Sequence, residues 1–313
     1  MAQNVLKRVK ENVEKVMVGQ SDTIDLLLTA MISEGHVLIE DMPGTGKTVL
    51  SSSLAKSIQG EFSRIQFTPD LLPSDVTGLN YYNQKEGEFV FKRGPAFCNI
   101  LLADEINRAT QRTQSSLLEC MAEKQITVDG VTRALPKPFL VVATQNPLET
   151  LGTFPLPEAQ LDRFLMRIHM TPPNKESEMA ILNRFMIDEP FETLEAVTTV
   201  ADIETLMLEA RGVYVHPLIV EYIADLAVAS RKDSQVEIGI SPRGSLALLR
   251  AAKSYAYLQE RNYVVPEDIK DLAVVVLAHR IKMTGGFSAV KEQQDMIKRL
   301  LDLVPITTEE WSK

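Results

Sequence analysis

The chain of 313 residues is long enough for about two domains and a sizeable buried core. Its 45% hydrophobic and 24% charged residues are ordinary globular values, which argues against a disordered or collagen-like chain. Because 33 Lys and Arg face 42 Asp and Glu, the net charge is −9, which disfavours general attraction to nucleic acid or to an anionic membrane surface.

The cysteine content and the length of the apolar stretches indicate in which cellular compartment the protein is expected. Cys98 and Cys120 form no CxxC pair and are too few for a disulfide scaffold, which favours reducing conditions. The first residues are amphipathic and charged, unlike a secretion signal, and apolar stretches such as 272–278 are too short for a membrane span. We therefore expect a cytoplasmic protein without membrane insertion.

The first half of the chain alternates short β-rich runs with helical stretches. The runs predict strands at 37–39, 64–67, 100–103, 139–143 and 167–170. Several are apolar at consecutive positions, which is typical of parallel strands covered on both faces. Leu50, Leu54 and Ile58 recur every fourth residue and predict a helix packed on that sheet. The pattern indicates an α/β fold with crossovers.

Two hairpins are predicted as insertions into this α/β core. The segment 81–91 alternates around Glu86-Gly87, and the segment 125–134 carries Asp129-Gly130 between β-forming residues. Asp-Gly between such runs favours a tight two-residue turn.

A change of pattern follows Thr171-Pro172-Pro173-Asn174, where two prolines interrupt regular structure. Helices are predicted at about 175–187, 202–210, 217–231, 243–261, 266–282 and 290–303. Ser241-Pro242 and Pro266-Glu267-Asp268 are typical helix starts. We therefore expect an α/β domain at 1–173 and a smaller all-helical domain at 174–313.

The strongest local pattern is GHVLIEDMPGTGKT, an apolar strand followed by a glycine-containing loop and a helix. Backbone N–H groups at such a helix start cradle phosphates, and Gly44 and Gly46 allow close approach. Lys47 would reach the β- and γ-phosphates, and the Thr48 hydroxyl would bind Mg²⁺. Asp41 stands where the strict P-loop pattern has glycine, and an ordinary strand–turn–helix junction is the alternative.

A second apolar strand, NILLADEIN, delivers Asp104 and Glu105 to its carboxyl end, where open α/β sheets bind ligands. Asp104 would hold the Mg²⁺ shell, and Glu105 could polarise the attacking water. A solvated strand end is the alternative interpretation.

A third apolar run, VVATQNP, ends at Asn146. This side chain could orient the attacking water or contact the γ-phosphate. The alternative is an asparagine favoured in the turn before Pro147.

In this order the motifs resemble the Walker A, Walker B and sensor-one elements of AAA+ ATPases. Three longer segments resemble the MoxR family within that class: LLPSDVTG, DEINRAT and ATQNPLETLGTFPLPEAQLDRF at 71–78, 104–110 and 143–164. The resemblance covers nearly the whole chain. It implies a P-loop AAA+ parallel-sheet αβα core with hairpin insertions, followed by a smaller helical lid domain.

The resemblance also assigns contacts with ATP and Mg²⁺. Nucleotide binding would involve Val18, Gly19, Gln20, Pro43, Gly44, Thr45, Gly46, Lys47, Thr48 and Val49. Mg²⁺ would be held by Thr48 and Asp104, and catalysis would use Lys47, Glu105 and Asn146.

Two arginines complete the implied site. Arg163 resembles an arginine finger that reaches the γ-phosphate on a neighbouring subunit; a local ion pair with Asp162 or Glu158 is the alternative. Arg243 resembles a sensor-two arginine that contacts the nucleotide in cis; a solvated arginine at a helix start is the alternative. Arg108 could face the neighbouring subunit.

The family resemblance implies Mg-dependent ATP hydrolysis, coupled to chaperone-like remodelling or maturation of protein complexes. A trans-acting arginine implies a homo-oligomeric ring, which we expect to be a hexamer. The resemblance also suggests a partner with a von Willebrand factor A domain, besides a client protein that the sequence does not identify.

Other functions stay open at this point. A nucleotide-gated scaffold with little turnover and a motor subunit of a chelatase-like complex share this architecture. A nucleic-acid motor is disfavoured by the charge balance and by the absence of a helix-turn-helix or zinc pattern. ATP is favoured over GTP because no NKxD-type motif is present.

Overall fold

A computed structural model describes residues 3–40, 44–146, 152–186, 189–285 and 290–306. The strands are β1 (Val37–Glu40), β2 (Phe62–Gln66), β3 (Gly78–Asn83), β4 (Glu88–Arg93), β5 (Ile100–Asp104), β6 (Gln125–Val128), β7 (Val131–Ala134), β8 (Leu140–Gln145), β9 (Met166–Ile168), β10 (Val236–Ile238) and β11 (Lys282–Met283).

The helices are α1 (Gln3–Glu14), α2 (Ser21–Ile32), α3 (Lys47–Ser57), α4 (Pro73–Thr77), α5 (Gln111–Glu123), α6 (Glu158–Leu161), α7 (Lys175–Phe185), α8 (Val200–Arg211), α9 (Pro217–Lys232), α10 (Pro242–Leu258), α11 (Pro266–Leu277) and α12 (Val290–Leu303). Short 3-10 turns lie at Ile106–Arg108 and Ala278–Arg280. Among these described helices, none combines the length and apolarity needed to span a bilayer.

The central sheet contains all five strands that the sequence predicts. Its order is β2-β5-β8-β1-β9, and every neighbouring pair is parallel. Parallel strands require crossovers, which here carry the helices to both faces. The expected α/β class with a covered parallel sheet is confirmed.

Both faces of the sheet are buried, which explains the consecutive apolar residues. In β1, Val37 and Ile39 belong to one hydrophobic cluster, while Leu38 belongs to a second cluster. In β8 the same alternation separates Val142 from Val141. Because successive side chains point to opposite faces, each strand contributes to both layers of the core.

Both predicted hairpins are present. Strands β3 and β4 pair antiparallel, as do β6 and β7. The second hairpin pairs Val128 with Val131 across Asp129 and Gly130, whose φ angles are 50° and 77°. Two successive positive φ angles are typical of a type I′ turn, for which Asp-Gly is favoured.

The chain after residue 174 is mainly helical, and the six predicted helices are all found. Ser241 caps α10, where its Oγ accepts a hydrogen bond from the Gly244 amide at 3.2 Å. The sequence did not predict the short antiparallel pair β10–β11. Two- and three-residue strands carry too little alternation to be recognised.

The helical part shares a core with the helices that precede β1. Leu27 and Leu28 of α2 lie in the same buried cluster as Ala251 and Ala252 of α10. Helices α1 and α2 therefore connect the helical part to the sheet. The expected division at residue 173 falls between β9 and α7, where the chain leaves the sheet.

Immediately before β1, His36 contacts β8, helix α5 and the residue that precedes β9 through its ring and backbone. Its Nδ1 accepts from the Val141 amide at 3.1 Å, and its Nε2 donates to the Met121 carbonyl at 3.0 Å. Its carbonyl accepts from the Leu165 amide at 2.8 Å. Complete burial lowers the pKa of His36 to about 4, since burial disfavours the charged ring.

We predict that His36 makes stability depend on pH. The ring has a pKa near 6.5 in the unfolded chain. The stabilisation that the neutral, buried ring gives to the folded state is therefore complete above pH 6.5 and is lost as the pH falls toward 4. The loss amounts to about 3 kcal/mol. Urea unfolding across this range should show a smaller pH slope in His36→Asn than in the wild type. His216→Asn, at the start of α9, should keep the wild-type slope; equal slopes in all three proteins would contradict the assignment.

Candidate functional site

The predicted nucleotide-binding motifs converge at one edge of the sheet. Strands β5, β8 and β1 are adjacent and parallel. Their carboxyl ends therefore lie side by side, at the position where open α/β sheets bind ligands. Glu105 follows β5, Asn146 follows β8, and the loop that ends at Lys47 follows β1.

The glycine-containing loop has the backbone expected of a phosphate cradle. Gly44 and Gly46 have φ angles of 89° and 86°, which side chains other than glycine rarely adopt. Helix α3 starts at Lys47, so Thr48 and Val49 lie in its first turn, where amide groups point outward. Pro43 and Asp41 lie outside the described residues.

Two contacts characterise the loop in this structure. Lys47 Nζ donates to Thr45 Oγ1 at 3.0 Å. A Cβ atom on Gly46 would lie 3.2 Å from Met17 Cε, so the residues that follow α1 pack directly against the loop. This packing brings Val18-Gly19-Gln20, which the resemblance assigns to nucleotide binding, beside the phosphate cradle.

That segment, Val18-Gly19-Gln20, connects α1 to α2 and contacts the chain around the start of α7. Gly19 has a φ of 72°, and a Cβ atom there would lie 2.8 Å from Ser177 Oγ. Gln20 Nε2 donates to the Thr171 carbonyl at 2.9 Å. The segment is thus placed between the P-loop and the start of the helical part.

A single hydroxyl holds the two Walker B carboxylate residues. Thr144 Oγ1 donates to Asp104 Oδ1 at 2.6 Å and accepts from the Glu105 amide at 2.9 Å. Asp104 Oδ2 also accepts from Arg64 at 2.7 Å. The carboxylate of Asp104 is therefore fixed from β8 on one side and from β2 on the other.

Glu105 has an unusual backbone for its residue type. Its φ is 54°, in the left-handed region, which costs about 1–3 kcal/mol outside glycine. Its Oε2 accepts from Gln66 Nε2 at 2.6 Å and from Arg108 Nη1 at 2.9 Å. Arg108 therefore contacts Glu105 of its own chain. The left-handed backbone at Glu105 is a strained conformation of the kind that clusters at functional sites.

Three contributors to this geometry were missed from the sequence: Arg64, Gln66 and Thr144. Arg64 and Gln66 alternate on β2, so both lie on one face of a strand whose apolar content is low. That alternation was a usable signal. Thr144 gave none, because threonine is common in strands.

The predicted sensor residue Asn146 follows β8 directly and is buried. In the sheet, β8 lies between β5 and β1. Asn146 therefore emerges between the acidic pair and the phosphate cradle.

A buried carboxylate lies directly ahead of the P-loop. Glu40 is 1% exposed and forms an ion pair with Arg167 at 2.6 Å. Gln145 Nε2 donates to its carboxylate, and His169 Nδ1 donates to its carbonyl at 3.0 Å. Glu40 thereby ties the end of β1 to β9 and to the residue before Asn146.

The two predicted arginines lie at the opposite edge. Arg163 precedes β9 and donates to the Leu118 carbonyl at 2.8 Å. Within the described ranges it forms no ion pair with Asp162 or Glu158. Arg243 instead pairs with Asp162 at 3.2 Å. Both arginines line a cavity that includes Gly35, at the amino end of β1.

β1 spans roughly 13 Å between Gly35 and the P-loop, so the cavity that Arg163 and Arg243 line is separated from the P-loop of the same chain by the length of that strand. The contacts of Arg243 with nucleotide in cis and of Arg163 with a neighbouring subunit stay predictions.

The donor set fits a magnesium ion bound together with a nucleotide. Thr48 and Asp104 supply hydroxyl and carboxylate oxygens, the ligands that Mg²⁺ prefers, and Mg²⁺ usually takes only one or two from the protein. Among the described residues, no group of three or more His, Cys, Asp or Glu could hold a metal by itself.

A parallel sheet with a P-loop after β1 and an acidic pair at the end of β5 defines a P-loop nucleotide-binding protein of the AAA+ class. The model of the ATPase family associated with various cellular activities (AAA) matches residues 36–166. The AAA lid domain model matches residues 228–300.

Known proteins similar to this chain extend the match to almost its full length. The uncharacterized protein YeaC of Bacillus subtilis is 50% identical over 89% of this chain and 87% of its own. Chaperone MoxR1 of Mycobacterium tuberculosis is 39% identical over 97% of this chain and 82% of its own. The crystal structure of a proposed ATPase from Cytophaga hutchinsonii, 41% identical, covers 98% of this chain and 96% of its own with a TM-score of 0.90. The chain belongs to the MoxR family of AAA+ ATPases.

We predict that removing the Glu40 carboxylate destabilises the fold. Glu40→Leu leaves Arg167, whose side chain is 12% exposed, without its partner, which costs about 3–5 kcal/mol. The double variant Glu40→Leu/Arg167→Leu should recover much of that loss. Urea unfolding of the wild type, both single variants and the double variant measures the coupling. Additive losses would show that the pair is not an energetic unit.

Proposed function

We propose that this chain hydrolyses ATP with Mg²⁺ in a ring of identical subunits and uses the cycle for chaperone-like remodelling. One observation carries the proposal: Thr144 Oγ1 bonds both Asp104 and Glu105 beside the P-loop strand. This arrangement separates a carboxylate suited to hold a metal from one suited to act on water.

The P-loop residues would bind the phosphates. Amides of the first turn of α3 supply donors at a positive helix end, and Gly44 and Gly46 leave room for the backbone to approach. Lys47 would move its ammonium group from Thr45 to the phosphates. Val18-Gly19-Gln20, packed beside this loop, would contact the adenine.

Metal binding would fall to Thr48 and Asp104. When bound, Mg²⁺ would neutralise charge on the phosphate oxygens. Arg64 holds the remaining Asp104 oxygen, which fixes the direction of the carboxylate.

Glu105 would accept a proton from the attacking water, which Asn146 would orient. The carboxylate now accepts from Gln66 and Arg108. Both hydrogen bonds end on Oε2, so Oε1 would be the oxygen that binds the water and accepts its proton.

Completion of the site would require a second chain. Arg163 and Arg243 lie at the sheet edge opposite the P-loop of their own chain. A heterologous contact would present them to the γ-phosphate of the next subunit, and such contacts close into rings. We propose a hexamer, with 1–173 as the nucleotide-binding domain and 174–313 as the lid.

The hairpins β3–β4 and β6–β7 are suited to transmit movement to a client protein. The first exposes large side chains, including Tyr82 and Phe89. A relative named as a chaperone supports this role. We further propose a partner with a von Willebrand factor A domain.

We predict that Glu105→Gln retains ATP binding but lowers the hydrolysis rate by about 10²–10⁴-fold, because the general base is lost. Phosphate release and nucleotide titration measure the two effects separately. Glu123→Gln, at the exposed end of α5, serves as the control and should keep the wild-type rate. ATP binding with negligible wild-type turnover would favour a nucleotide-gated scaffold instead.

Complementation tests the contribution in trans. Lys47→Ala and Arg163→Ala should each be inactive, since one lacks a phosphate ligand and the other lacks the arginine. Mixed before assembly, they should recover activity because about a quarter of the interfaces join an intact P-loop to an intact arginine. A mixture as inactive as its components would show that Arg163 does not act between chains.

A further inference from the structure

The cavity at the amino edge of the sheet is large and strongly basic. It measures about 810 Å³, within the range of small-molecule sites. Seven Lys and Arg side chains and two carboxylates line it, an excess of five positive charges in a chain whose net charge is −9. The lining of the cavity is therefore net positive, whereas the chain as a whole is net negative.

Both carboxylates are already shared between cations. Glu34 pairs with Lys124 and with Arg211. Asp162 pairs with Arg243 and with Arg280, the latter only 3% exposed. Internal ion pairing therefore leaves most of the positive charge uncompensated.

The cations left over approach one another. Arg250 forms no ion pair within the described chain, and its charge helps lower the pKa of Lys124, after burial and Lys137. Lys253 donates to the Arg211 carbonyl, and its ammonium forms no ion pair with a carboxylate among the described residues. Like charges held together cost free energy, which a bound anion would recover.

We propose that this cavity binds a free small molecule carrying several phosphate groups, separate from the nucleotide at the P-loop. Lys124, Arg250 and Lys253 would hold the phosphates, and guanidinium groups suit phosphate oxygens through paired donors. The exposed Leu246 of α10 offers an apolar surface for the rest of the molecule.

The position of the cavity gives the ligand a mechanical role. Lys124 follows α5 of the α/β part, whereas Arg250 and Lys253 lie on α10 of the helical part. A polyphosphate that contacts both would hold the two parts together. The same phosphate chemistry could reach the cavity on a nucleotide carried by a neighbouring chain, so the experiment has to separate the two sources.

Binding of inorganic tripolyphosphate to nucleotide-free Lys47→Ala tests the proposal by calorimetry. This variant disables the P-loop, so neither its own nor a neighbour's nucleotide site supplies the binding. We expect one site per chain that weakens as ionic strength rises. Arg250→Glu in that background should bind at least about tenfold more weakly.

Arg112→Glu is the matched control, because Arg112 is exposed on α5 outside the cavity and the change in net charge is identical. It should bind as the parent does. Equal weakening in both variants, or no binding to the parent, would overturn the proposal. Neither measurement depends on ATP hydrolysis, so its failure is distinct from that of the proposed function.

Lysine acylation read by mass spectrometry locates the ligand in the unmutated chain. Tripolyphosphate should protect Lys124 and Lys253 and leave Lys270, exposed on α11, unprotected. Protection confined to Lys47 would place the anion at the P-loop and contradict the cavity site.

Discussion

The parallel pairing of β5, β8 and β1 is the constraint on which the site depends. Because the three strands run the same way, the P-loop, the sensor residue and the acidic pair all emerge at one edge. The register matters as much as the direction: Glu40 is paired with Gln145, so β1 and β8 end level. A shift of one residue would turn their buried side chains to the opposite faces.

The same sheet separates two sets of charges. The acidic pair and the P-loop lie at its carboxyl edge, whereas Arg163, Arg243 and the other cavity cations lie at its amino edge. A rigid sheet cannot bring these sets together within one chain. Arg163 and Arg243 are therefore proposed to serve a neighbouring chain, whereas Lys124, Arg250 and Lys253 of the same cavity are proposed to bind a separate anion.

Much of the fold could be predicted from the sequence because local signals agreed with one another. Apolar runs marked the five sheet strands, Asp129-Gly130 marked a hairpin, and Ser241-Pro242 marked a helix start. The supporting residues were not predictable in this way. Thr144 acts through Asp104, forty residues earlier, and the net charge averages away a basic cavity whose members come from distant segments.

The left-handed backbone at Glu105 shows how that support works. Glycine would adopt this conformation without strain but would carry no carboxylate. The strain is balanced by specific contacts: the Glu105 amide donates to Thr144, and its carbonyl accepts from the Arg108 amide at 2.9 Å. These bonds turn the chain sharply from β5 into the following 3-10 turn. The turn places the Glu105 carboxylate beside β2, where Gln66 holds it, rather than along the direction of its own strand. The backbone strain at Glu105 is therefore linked to the position of its carboxylate, and contacts from β8 and β2 hold that position.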